Sequence, residues 1–499
     1  MKNQVQLIAY VDRFSGGGLR ELQSLLDDGP LAGLFGGVHL LPFFLPIDGA
    51  DAGFDPIDHT QVDPRLGSWD DLRALAERTD LMADLIVNHI STRSPQFIDF
   101  RKRGDASSYA FLFLTYARVF PEGASEPELL QIYRPRPGLP FTKVRLDNGT
   151  ERLLWTTFTP EQVDIDVRSS QGKRYLDQIL NQFHLAGIRS IRLNAAGYAI
   201  KKRGTSCFMI PETFEFIGKL THHARELGIE VLVEIHCHYL EEIQIAKQVD
   251  RVYDFALSPL VLHALFSGDT RRLKQWLEIS PRNAVTVLDT HDGIGVLDVG
   301  PDRRSPDGPP GLLSLKEIND LVETIHERSN GANIEAIGTV SNNLDVYQVN
   351  CTYYEALGRR DDDYLIARAI QFFAPGVPQV YYLGLLAGTN DLDLQRRTGE
   401  ARDINRHYYT RNELHQRLET PVVRALFDLI RFRNAHPAFA GDFQVNNSDN
   451  SSLVLEWRKH PDWARLEVDL VCRRAVISYS GAAGDQVMIV SSSAIEVNR

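Results

Sequence analysis

The chain is short of cysteine, of long apolar runs and of positive charge, and each shortage removes a class of protein. Its four cysteines, Cys207, Cys237, Cys351 and Cys472, are scattered over 499 residues and form no CxxC pair. Reduced thiols therefore fit better than a disulfide framework. No run of about 18 apolar residues occurs, so no membrane-spanning helix is expected. A net charge of −12 argues against nucleic acid or an anionic membrane as the main partner. The opening MKNQVQLIAYVDRF alternates like a strand within four residues of Met1 and lacks the apolar stretch and small-residue cleavage site of a signal peptide. A cytoplasmic protein is the expectation, and the N-x-S/T sequons at Asn148 and Asn350 then carry no weight.

What is present is an ordinary globular composition, 43% hydrophobic and 24% charged, on a chain too long for one simple core. Eight short apolar runs recur at 4–13, 37–44, 81–90, 188–197, 229–237, 251–257, 284–293 and 376–384. They suit parallel strands buried on both faces. Amphipathic helical patterns lie between several of them: LRELQSLLDD, WDDLRALAERT, KRYLDQILNQFHLAG and PETFEFIGKLTHHARELG. Eight strand–loop–helix repeats predict an α/β fold, a closed (β/α)₈ TIM barrel rather than an open sheet.

Two segments interrupt the repeat. The reading divides the chain into a barrel over 1–88, 169–293 and 359–438, a proline- and aromatic-rich insertion over 89–168, and a loop-rich insertion over 294–358. Short β runs from 439 to 499 predict a small all-β domain. Within the first insertion, Asp147-Asn148-Gly149 between alternating stretches reads as a hairpin. Both insertions follow the C-terminal end of a barrel strand, where active sites are built, and are read as lids or walls.

Polar groups break the apolar strands near those ends: His89, Arg192 and Asn194, Glu234, and His291 with Asp292. Several on separate strands converge on one face, and burying them without a role would be costly. Two carboxylates across a pocket, one acid/base and one nucleophile, are what retaining sugar transfer needs, about 5–5.5 Å apart. Glu234 and Asp292 supply two acids, yet position 194 holds an amide. Arg192 lies two residues before it, so alternation places both side chains on one face.

Other features have plainer readings. His236-Cys237-His238 resembles a metal cluster, but neighbours in a strand face opposite ways, so packing or substrate contact is the better reading. Gly16-Gly17-Gly18 matches no phosphate-loop pattern and reads as a flexible loop. The basic KKR at 201–203 reads as solvated surface. Asp51, Asp55 and Asp58 could suggest calcium, but spacing alone is poor evidence; Asp51 reads better as a sugar hydrogen-bond acceptor and Asp55 and Asp58 as structural, and the reading calls for no metal and no cofactor.

The stretches DGADAGFDPIDHTQVDPRLGSWDD (48–71), DLIVNH (84–89), IRLNA (191–195), LVEIH (232–236) and VLDTHDGIG (287–295) resemble the successive motifs of the alpha-amylase superfamily of glycoside hydrolases, family 13. More narrowly, YRPRPGLPFT (133–142), TSCFM (205–209), NLDVYQVN (343–350) and ARDINRHYY (401–409) are similar to the sucrose phosphorylase family. The match runs to about residue 440 and fades over the last 60 residues. The resemblance implies reversible transfer of a glucosyl unit between fructose and phosphate with retention. Sucrose, inorganic phosphate, glucose 1-phosphate and fructose would be the small-molecule partners, and a homodimer is the family expectation.

The resemblance puts the nucleophile, an Asp in the family, at Asn194, the general acid/base at Glu234 and the transition-state-stabilising carboxylate at Asp292. Asp51, His89, Arg192, His291 and Arg402 match residues that hold the glucosyl unit, and Phe54 and Phe158 match aromatics that pack on the sugar. The acceptor side would use Arg136, His236, Asp345, Tyr347 and Gln348. Related phosphorylases act on sucrose 6′-phosphate, glucosylglycerol or glucosylglycerate, and Val346 stands where leucine is often seen. Three readings of Asn194 compete: an engineered nucleophile replacement that traps substrate, a natural pseudoenzyme that binds a glucoside, or a harmless change with another carboxylate serving. The survival of every other expected residue favours the first. The third conflicts with the roles already assigned to Glu234 and Asp292.

Overall fold

The protein is described by a computed structural model covering residues 1–499 except Pro137, 303–307, 332–347, Ala483, 494–496 and Arg499. Eight parallel strands close into a barrel: β1 (Gln6–Ala9), β2 (Gly37–Leu40), β3 (Asp80–Ile86), β4 (Ser190–Asn194), β5 (Glu230–Val233), β6 (Arg251–Asp254), β7 (Ala284–Thr286) and β8 (Val377–Tyr381). Each pairs with its neighbour in sequence, and β8 closes on β1 through Gln6↔Gln379, Leu7↔Val380 and Ile8↔Tyr381. All eight strands fall within or against the eight apolar runs. The strands are short and buried on both faces, which is why they read as continuous apolar runs rather than alternating ones.

The four helical patterns are helices at Leu19–Asp27, Trp69–Ala76, Ser170–Leu185 and Pro211–Glu226. Local signals set their starts. Ser68 accepts from Asp71 N while Asp71 reaches back to Ser68, a reciprocal cap. Pro211 opens its helix where an N–H would be unpaired anyway.

Between β3 and β4 the hairpin is present: Phe141–Arg145 pairs with Glu151–Trp155, and Gly149 turns it with φ +83°. His89–Ser91 also pairs with Gln162–Asp164, which fixes the base of that insertion to the end of β3. The segment after β7 differs from a purely loop-rich reading. It contains a helix at Leu315–Arg328, capped by Ser314 and Glu317, and a two-strand pair of Ile294–Gly295 with Gln348–Val349.

From Asp442 a six-strand antiparallel meander follows, β9 to β14 (Asp442–Asn446, Ser452–Lys459, Asp462–Asp469, Arg474–Gly481, Gly484–Val490 and Val497–Asn498). It is anchored on the barrel side by Trp457, whose Nε1 donates to Phe373 O at 2.8 Å. Among the described residues no helix is long and apolar enough to cross a membrane.

Candidate active site at the C-terminal end of the barrel

The site rests on a row of charges inside the barrel. His39 on β2 meets Asp84 on β3 at 3.2 Å, Asp84 Oδ1 accepts from Arg192 Nη1 on β4 at 2.5 Å, and Arg192 Nη2 bonds Glu234 Oε1 just after β5. Strand register makes this possible, because Arg192 lies directly opposite Asp84. Burial would raise the Asp84 carboxyl, but Arg192 and His39 hold it down to about 2. Burial alone would lower Arg192, yet Glu234 and Asp84 carry it well above the usual range. Arg192 is 2% exposed and its Nη2 bonds Glu234, a residue of the cavity wall.

Asn194 ends β4 and its Nδ2 donates to Glu234 Oε2 at 3.0 Å. An amide can donate to a carboxylate in this way, whereas an ionised carboxylate at 194 could only accept. The turn that follows starts at Ala195, which takes φ +56°, rather than at Gly197. Gly197 serves close approach instead, since a Cβ there would lie 2.7 Å from the Phe208 ring.

Across the cavity Arg402 spans two carboxylates, 3.0 Å from Asp292 and 3.2 Å from Asp51. Arg406 Nη2 reaches Asp51 at 3.1 Å, and its Nε donates to His291 O. Burial would raise Asp292, but Arg402 first, then Arg192 and Arg406, hold it far below the usual carboxylate range. Burial likewise acts against Asp51, which Arg402 and Arg406 keep ionised. His291 is pressed down to about 3 by burial and is therefore neutral, stacked on Phe54 with centroids 4.8 Å apart. His89 Nε2 donates to Phe54 O at 2.8 Å, which fixes its tautomer, and burial lowers its pKa.

Of the expected catalytic and substrate-binding residues that the structure describes, all but Arg192 line this one cavity. Asp345 and Tyr347 lie outside the described residues, as does Val346. The cavity encloses about 1000 Å³ counting its open mouth. Sequence reasoning missed the aromatic wall: Tyr133 stacks on Phe208 at 4.5 Å, Phe208 leans on Tyr198 at 4.7 Å, and Tyr198 meets Phe158 edge-on at 5.1 Å. Tyr133 and Phe208 stand inside the quoted motifs, but a lone aromatic reads as core.

One plain reading is overturned. Lys201 of the KKR run is 3% exposed, not solvated. Its ammonium lies 2.6 Å from Asn88 Oδ1 and 2.6 Å from Asp164 Oδ2, and also bonds Tyr198 O. Lys202 and Arg203 remain outside, paired with Glu212 and Glu128.

A closed parallel barrel with amide, acid and acid at the ends of β4, β5 and β7 defines a carbohydrate-active enzyme of the alpha-amylase type. Residues 34–249 match the family described as alpha amylase, catalytic domain. A sucrose phosphorylase from Agrobacterium vitis is 62% identical over 96% of this chain and 98% of its own. One from Bifidobacterium adolescentis is 49% identical over 97% of each. The crystal structure of sucrose 6F-phosphate phosphorylase from Thermoanaerobacter thermosaccharolyticum superposes with a TM-score of 0.91 at 38% identity, covering 98% of both chains. The chain belongs to the sucrose phosphorylase family.

Proposed function

We propose that this site carries out retaining glucosyl transfer, the reversible phosphorolysis of sucrose to α-D-glucose 1-phosphate and fructose, and that Asn194 disables its covalent step. The observation that carries the reading is the joining of Asn194, Glu234 and Asp292 in one cavity that Arg136 and His236 also line. Phosphate is an oxyanion, and the Arg136 guanidinium is a donor suited to it.

With a carboxylate at 194, its oxygen attacks the anomeric carbon as Glu234 gives its proton to the departing fructose oxygen. A covalent glucosyl ester results, with inversion at that carbon. Phosphate then attacks the same carbon, the ester bond breaks, and a second inversion restores the original configuration. Glu234, now a base, takes up the proton of a protonated phosphate. Asp292, held ionised by Arg402, stabilises the positive charge that develops at the anomeric carbon in both steps. His89 stands in the cavity wall against the sugar, its ring held by the Nε2 bond to Phe54 O. The aromatic wall excludes water, which would otherwise compete with phosphate for the glucosyl ester.

In the chain as it stands the amide at 194 lacks the negative charge needed to form that ester. The pocket keeps its sugar contacts, so substrate binds without turning over. Asp345 and Tyr347 belong to this reading as acceptor-side residues. A cytoplasmic enzyme and a homodimer, the latter checked by sedimentation velocity, go with it.

The test is a phosphorolysis panel with Asn194→Asp over sucrose, sucrose 6′-phosphate, glucosylglycerol and glucosylglycerate, reading glucose 1-phosphate. Sucrose is expected to lead. A stronger response to another donor would reassign the acceptor, and free glucose without phosphate dependence would make the protein a hydrolase.

A further inference from the structure

His236 lines the acceptor side of the cavity, and behind it lies a residue with no place in the reaction described above. Asp298 is 1% exposed and follows the short strand Ile294–Gly295. Its two carboxylate oxygens serve two donors. Oδ1 accepts from Cys237 N at 3.0 Å and Oδ2 meets His236 Nδ1 at 3.2 Å. The ring is also clamped flat, stacked on Phe255 with centroids 4.0 Å apart and planes 16° apart. Gly295 completes the fit, since a Cβ there would come 3.2 Å from Asp298 Oδ2 and 3.8 Å from the imidazole. Gly295 pairs with Gln348, another residue of the cavity wall, so one short strand joins the acceptor loop to the His236–Asp298 pair.

We propose that Asp298 is a positioning residue for phosphate: it fixes the proton of His236 on Nδ1 and holds the ring as a cation whose Nε2 side serves the acceptor. The proposal rests on the phosphorolysis reading for its substrate, but not for its geometry. A carboxylate oxygen can only accept, so the facing ring nitrogen must carry hydrogen. The second proton, on Nε2, then makes the ring a donor with full charge, the form that suits an oxyanion.

The charges around the pair point the same way. Burial acts against the imidazolium, but Asp298 first, then Glu234 and Asp292, raise its pKa above the ordinary histidine value. Arg136 and Arg402 share the cavity as cations. Behind Asp298, Glu242 and Asp254 are both pushed up by burial and by neighbouring carboxylates, including Asp298.

Two experiments test the assignment. In the first, ¹⁵N-histidine spectra of the unaltered chain are titrated with pH, with His236 assigned by its loss in His236→Gln. A ring that carries hydrogen on Nδ1 when neutral, and titrates above ordinary histidine, supports the assignment. The opposite tautomer or a lowered pKa overturns it, whatever the enzyme does.

In the second, Asp298→Asn is made in the active Asn194→Asp background. An amide has one acceptor oxygen for two donors, so either Cys237 N or His236 Nδ1 loses its partner. The expected result is a rise of about tenfold in KM for phosphate, the loss of one charge-assisted contact, with KM for sucrose within about twofold. Phosphate affinity should weaken as pH rises through the His236 pKa, and the variant should shift that fall to lower pH. Asp298→Glu should recover part of the phosphate KM. An equal rise in both KM values, or an unmoved pH profile, overturns the proposal. Absence of phosphorolysis in the Asn194→Asp parent would defeat the functional reading instead and leave the spectra to decide this one.

Discussion

Restoring a carboxylate at position 194 should change both the rate and the titration of the site. Removing a single nucleophile or its partners from a catalytic unit typically costs about four to six orders of magnitude, or roughly 5–8 kcal/mol of barrier. Asn194→Asp should regain a factor of that size in phosphate-dependent release of glucose 1-phosphate. The geometry adds a second consequence. Asn194 Nδ2 now donates to Glu234 Oε2 at 3.0 Å, and the substitution turns that donor into a charged acceptor. Two carboxylate charges about 4 Å apart at an effective dielectric near 20 repel by about 4 kcal/mol, or about three pH units between their two protonation steps. Arg192, already bonded to Glu234 Oε1, narrows that gap without closing it. The pair should therefore hold one shared proton and titrate as a unit, and the side chains should separate toward the spacing of a retaining pair. The assay is initial rate against pH for both proteins, with a crystal structure of Asn194→Asp to read the separation. A bell-shaped profile is expected for the variant. Rates within tenfold of each other would refute the nucleophile assignment, and an unchanged 3.0 Å contact would refute the repulsion argument.

Lys201→Met should leave Asp164 buried without its cation and lower stability by about 3–5 kcal/mol, measured by denaturant unfolding; a loss below about 1 kcal/mol would mean the pair is worth no more than a surface one. Burial lifts Asp254 from 3.8 to about 7, although Trp276 and Leu257 both donate to it. Its folded form holds a proton that the unfolded chain has lost, so its contribution to stability is full below about pH 4 and disappears as pH rises through 7. A rise of that size is worth up to about 4 kcal/mol, and Asp254→Asn should flatten the slope of stability in chemical denaturation between about pH 4 and 8; parallel slopes would count against it. Gly197→Ala should push Phe208 against Tyr133 and raise KM for sucrose several-fold in the Asn194→Asp background, with little change in melting temperature. Equal KM values would show that the wall has room to give.

The barrel was legible because parallel strands covered on both faces leave a nearly unbroken apolar trace, as VLV at 231–233 does in β5. Position 194 stood out because an amide interrupts such a trace between Arg192 and a turn. What stayed hidden depended on partners distant in sequence. Arg406 is the fourth residue past Arg402 in ARDINRHYY, and nothing local says that it reaches Asp51. Tyr198 and Phe208 look like any core aromatic until the turn after Asn194 brings them together. The helix at Leu315–Arg328 carries a readable cap, Ser314 with Glu317, yet the proline-rich stretch before it masked the signal. Lys201 misled for a related reason: a run of three basic residues suggests one environment, and here the first is buried while the other two are not.

Lys201 also bears on how the roof of the site is held. Its ammonium sits among three oxygens, from the end of β3, from the first insertion and from the turn after β4. A free cation in that position would come and go with its concentration, and the wall carrying Phe158 and Tyr198 would loosen whenever it left. Here the cation is covalently part of the chain, so the junction has no dissociation constant. Dilution and chelators therefore have no hold on it, and the insertion should stay docked in media where ion supply varies.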